Sequence, residues 1–69
     1  MTINETLRDA LILKYQGDIA TAKANIKVYL TNPAGIGEHS DLISAIDTEM
    51  EQAAEADDKL CFLENEVDW

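Results

Sequence analysis

Thr31-Asn32-Pro33-Ala34-Gly35-Ile36-Gly37-Glu38-His39-Ser40 is the only stretch where Pro and Gly cluster, and helical periodicity flanks it on both sides. Proline has no amide hydrogen to give a helix interior, and it drives the preceding Asn32 out of the α region. Gly35 and Gly37 reach backbone angles that other residues adopt only with strain. The reading that follows is helix, reversal, helix. The fold class is all-α: an antiparallel helical hairpin, with helices over about residues 3–30 and 41–66 and a turn over about 31–40.

Working back from the turn, Thr2-x-x-Glu5 has the capping-box pattern, in which the Thr2 hydroxyl accepts from the Glu5 amide and the Glu5 side chain reaches back. The helix it opens carries one apolar stripe, Leu11, Ile12, Tyr15, Ile19, Ala22, Ile26, Tyr29 and Leu30, at the steps of three and four that one buried face requires. Roughly opposite runs a stripe of mostly small residues: Ala10, Leu13, Gly17, Ala20, Ala24 and Val28. It reads either as a second close-packing face or as solvent-facing helix formers. Gly17-Asp18 is a candidate stop and restart, but the main stripe keeps register across it, so the helix is expected to continue.

Forward of the turn, Ser40 reads as the N-cap of the second helix, with Asp41 in its first turn. The core stripe is expected at Leu42, Ile46, Met50, Ala53, Ala56, Leu60, Leu63 and Val67, flanked by Ile43 and Cys61. On the opposite side stand Asp47, Glu51, Glu55, Asp58 and Glu66, with Phe62 among them and Trp69 following on nearly the same side. Like charges at i,i+4 repel by a few tenths of a kcal/mol per pair. An aromatic ringed by carboxylates has the anatomy of a docking patch, an apolar anchor with charge to steer a basic partner. These seven residues are the candidate partner-binding set. The alternative is that Phe62 and Trp69 cover an edge of the protein's own bundle.

The charge is divided unevenly along the chain. The chain has 69 residues and a net charge of −9. Residues 1–33 carry Arg8, Lys14, Lys23 and Lys27 against three carboxylates, whereas residues 34–69 set eleven carboxylates against Lys59 alone. Such a balance disfavours nucleic acid and anionic membranes, which demand a basic footprint. It suits a basic protein partner, or simply a solvated acidic face.

Chemistry is harder to find. Gly35-Ile36-Gly37 lacks the Lys and Ser/Thr of a phosphate loop, and Glu38 would repel a phosphate. Ile36 reads as an apolar plug under the turn. His39 has no ligand partners at metal spacing, and His39-Ser40-Asp41, being consecutive, cannot form a spatial triad. Asp57-Asp58 sits on a hairpin that offers no substrate cleft. The chain is expected to be no enzyme, with no cofactor and no metal.

One domain of this length rarely builds a sufficient core alone, and Cys61 cannot form an intramolecular disulfide. Self-association is therefore expected, with two hairpins pairing as a four-helix bundle. Met1-Thr2-Ile3-Asn4-Glu5 lacks a signal peptide's basic and apolar regions, and no run reaches the roughly 18 apolar residues of a membrane span. A reducing cytoplasm fits these features.

The segments Leu11-Ile12-Leu13-Lys14-Tyr15-Gln16-Gly17-Asp18-Ile19-Ala20 and Lys23-Ala24-Asn25-Ile26-Lys27-Val28-Tyr29-Leu30, through Asn32-Pro33 to Gly35-Ile36-Gly37-Glu38-His39, carry a resemblance over roughly residues 5–60. In these segments the chain resembles short uncharacterised proteins of marine tailed phages, including T4-like cyanophages. The resemblance implies action in the cytoplasm of an infected bacterial host, or incorporation into the virion, and it transfers no functional residues. The functional expectation is a small acidic protein that binds a host or phage protein. A virion or assembly component and a DNA mimic are the alternatives.

Overall fold

The computed structural model describes residues 2–32 and 39–69. Two helices account for almost all of them: α1, Ile3–Thr31, and α2, His39–Asn65, packed against each other in a hairpin, with no strand among the described residues. The reversal that joins them, including Pro33, Gly35, Gly37 and the proposed Ile36 plug, lies outside the described residues.

Thr2 caps α1. Its hydroxyl accepts from the Glu5 amide at 3.1 Å and donates to Glu5 Oε1 at 3.2 Å. The side-chain half of the box is thus made hydroxyl to carboxylate, instead of carboxylate to the Thr2 amide. The helix then runs unbroken through Gly17. An ion pair from Lys14 Nζ to Asp18 Oδ2, 3.1 Å, spans the glycine on the outer surface. At the far end the Asn32 amide donates to the Val28 carbonyl at 2.8 Å, closing the last turn.

α2 starts at His39, earlier than the expected residue 41, so Ser40 lies inside the helix and not at its cap. The helix stops at Asn65, where the Glu66 amide still donates to the Phe62 carbonyl at 2.8 Å. The chain then turns back. Trp69 Nε1 donates to the Leu63 carbonyl at 3.2 Å, using one of the carbonyls that a helix end leaves without a partner.

The seam between the helices follows a strict alternation of four and three. On α1 it is Ile12, Tyr15, Ile19, Ala22, Ile26 and Tyr29; on α2 it is Leu42, Ile46, Glu49, Ala53, Ala56, Leu60 and Leu63, all buried or half-buried. This is the a/d spacing of antiparallel helices packed at a shallow angle. Four expected core members fall outside it: Leu11, half-buried beside the seam, Val67, 38% exposed beyond the end of α2, and Leu30 and Met50. Leu30 is 65% exposed at the turn end of α1, and Met50 is 57% exposed. Met50 lies about 100° around the helix from the in-phase position, which is occupied by Glu49, only 8% exposed. The Glu49 Oε2 atom has no hydrogen-bond partner among the described residues.

The seam encloses little. Ala22, Ala56 and Leu63 are its buried apolar residues, and none of the described large side chains is fully buried. The molecule measures 49 × 19 × 12 Å, with a radius of gyration of 15.5 Å. A globular domain of this length would have a radius near 11 Å. Its accessible surface, 5175 Å², exceeds by about 900 Å² the roughly 4,300 Å² normal for a monomer of this mass.

Candidate protein-interaction surfaces

Three surfaces follow from this arrangement. The first is the outer face of α2. Asp47, Glu51, Glu55, Asp58 and Phe62 recur at steps of three and four, and all five are exposed. Glu55 is partly neutralised by Lys59, whose Nζ lies 3.2 Å from Glu55 Oε1. Phe62 is 63% exposed and shares a shallow depression with Asp58, Cys61, Asn65 and Glu66. The structure thus sets the exposed aromatic ring beside Asp58 and Glu66.

Trp69 does not extend this row. Because α2 ends at Asn65, the tail folds back over the open end of the hairpin. There Trp69, 41% exposed, closes an apolar groove of about 260 Å³ with Leu11, Tyr15, Leu63 and Val67. Lys59 and Phe62 stand on the rim of the same groove. The Lys59 ammonium lies 5.9 Å from the Tyr15 ring centroid, a cation–π contact that ties α2 back to α1. Of the two aromatics, Trp69 closes this groove, and Phe62 borders both the groove and the depression with Asp58 and Glu66.

The second surface is the outer face of α1. Ala10, Leu13, Gly17, Ala20, Ala24 and Val28 are all exposed, and a Cβ added at Gly17 would meet nothing within 4 Å. Within the hairpin nothing packs on this stripe.

The third surface was not visible as such in the sequence, because it depends on how the two helices face each other. At about 100° per residue, Asp18, Thr21, Gln52, Glu55 and Lys59 fall to one side of the hairpin, where they line a common polar depression. Ile12, Ile19, Ile26 and Leu30 of α1 fall to the other side, together with Ile43, Ile46 and Met50 of α2. Ile12, Ile19, Ile26 and Ile46 are only half-buried, while Leu30, Ile43 and Met50 are exposed.

No helix among the described residues is long and apolar enough to cross a membrane. Comparison with protein-family models, curated proteins and solved structures gave no match.

Proposed function

We propose that the chain is a small acidic, non-enzymatic protein-interaction module, in which two hairpins pair as a four-helix bundle and the outer face of α2 docks a basic protein partner. The observation that carries the docking reading is Phe62. An exposed aromatic is a costly thing to leave in water and an effective anchor once covered, and here Asp58 and Glu66 share its depression. Asp47, Glu51 and Glu55 extend the negative field along the helix, which speeds encounter with a basic surface. The resemblance to short tailed-phage proteins supports a site of action in an infected bacterial cell, with a host or phage protein as the partner.

The test is Phe62→Ala. About a third of the ring is covered by the hairpin, so truncation should cost about 1 kcal/mol, far below the 3–5 kcal/mol of a core phenylalanine. Affinity purification from infected cells should then recover a basic protein with the wild-type chain, less of it with the variant, and less of it as salt rises. A variant destabilised by several kcal/mol, or one that captures the partner undiminished, would refute the docking role. Competition of the captured partner by DNA would favour the mimic reading, and recovery of the chain in purified virions would favour the structural one.

A further inference from the structure

Building on the proposed pairing of hairpins, we infer which side pairs and in what orientation: a second copy covers the side bearing Ile12, Ile19, Ile26, Ile46 and Met50, with α1 of each copy lying against α2 of the other. Three observations lead there.

The two sides of the hairpin are unequal. One carries Asp18, Gln52, Glu55 and Lys59 at mid-length, and the tail with Val67 and Trp69 lies over its open end. The opposite side carries Ile12, Ile19, Ile26, Ile46 and Met50, flanked at mid-length by exposed Gln16, Lys23 and Asp57, and is most apolar toward the turn end, at Leu30 and Ile43. Its isoleucines point partly into the seam and partly outward, as residues do at the centre of a four-helix bundle when half the bundle is missing.

The molecule as a whole exposes about 900 Å² more than is normal for its mass, and a stable interface of standard size takes roughly 800 Å² from each partner. A second identical hairpin supplies that area with matching a/d spacing, and a twofold interface places the same patch on both copies.

Charge selects the orientation. Two hairpins facing each other through this side can be related by a twofold axis along the helices or across them. An axis across them stacks α2 on α2, each with eight carboxylates against Lys59. An axis along them stacks α1, with four cations and three carboxylates, on α2 of the other copy. The second arrangement relieves the like-charge repulsion of the first. It also keeps the hairpin's own register, because rotation about that axis leaves each residue's height unchanged. Tyr15 is level with Lys59 and Leu63, and Asp18 and Thr21 with Gln52, Glu55 and Ala56. Leu30 then meets Ile46 of the second copy, and Gln16 faces Cys61.

The last pairing makes the inference testable with the intact chain. Gln16 and Cys61 are both exposed, and Cys61 is a free thiol. Within one hairpin both lie on the covered side, but Cys61 sits further round α2 from the seam than Gln16 does on α1, so the two do not face each other. In the inferred dimer they face each other across adjacent helices, close enough for a disulfide. Gln16→Cys, under mild oxidation, should give a covalent dimer on a non-reducing gel that disappears with reductant and in the Gln16→Cys/Cys61→Ser double variant. Met50→Cys is the matching probe for the α2-on-α2 arrangement, in which it would approach Cys61 of the other copy. A sedimenting dimer that links through Met50→Cys, or through neither substitution, overturns the inferred face and orientation but leaves the pairing of hairpins standing. A monomer at every concentration overturns both.

Discussion

Replacing Glu49 with leucine should stabilise the protein, which is the reverse of what most buried substitutions do. Glu49 occupies an in-phase position of the α2 seam, 8% exposed, with Oε2 unpartnered. Carrying the antiparallel register toward the turn sets it at the level of Ile26 and Tyr29. A buried polar group without a partner costs about 1–3 kcal/mol. A leucine there adds apolar burial, worth about 1.5–3 kcal/mol for a whole side chain, of which the glutamate methylenes already supply part. The net gain should be about 2–4 kcal/mol. For a domain of this size each kcal/mol raises Tm by about 4–8 °C, so Glu49→Leu should melt about 8 °C higher or more. Urea denaturation at fixed protein concentration gives the free energy directly, and the concentration must be held because association adds to apparent stability. Glu49→Gln, which removes the charge but leaves polar atoms to satisfy, should gain less. A leucine variant no more stable than the wild type would show that the carboxylate is favourably held, and the seam would have to be redrawn around it.

Other substitutions probe the remaining elements. Gly17→Ala should stabilise by about 1 kcal/mol in the same urea assay, since the glycine is mid-helix and a methyl there meets open space; a loss would mean that another body approaches α1 closely at that point. Ala24→Leu should be close to neutral, because it lies on the exposed stripe opposite the seam and away from the face that carries Gln16 and Lys23; a cost of 1–3 kcal/mol, typical of overpacking, would place a helix on that face. Trp69→Phe should lose the hydrogen bond to the Leu63 carbonyl and about 1 kcal/mol, with tryptophan-free fluorescence and urea midpoints as the readout; an unchanged midpoint would mean the tail contributes nothing to the end of the hairpin.

The hairpin was legible because its two signals are local. Pro33, Gly35 and Gly37 punctuate the chain, and the three-and-four spacing on either side survives a composition that is rich in alanine and acid. The continuity of α1 across Gly17 was legible for the same reason, since Ile12, Tyr15, Ile19 and Ala22 hold one phase. The exchange of Met50 for Glu49 was not, because ranking by hydrophobicity placed methionine on the seam while strict phase places the carboxylate there. Phe62 could be set on the acidic face by counting turns. Trp69 could not, because its place depends on the helix ending at Asn65 and the chain reversing. The unequal sides of the hairpin lay beyond sequence reading altogether. Each helix shows its own stripe, but which flank of α1 shares a side with which flank of α2 follows only from their antiparallel contact.

The claim at the centre of this account is that one hairpin leaves its core unfinished and a second copy completes it. Sedimentation velocity across a range from low to high micromolar concentration tests this most directly. The account predicts a species of twice 7.6 kDa that is more compact than two free hairpins and dissociates on dilution, with Tm falling in step as mass action requires. A single fully folded 7.6 kDa species across the whole range, with Tm independent of concentration, would contradict it.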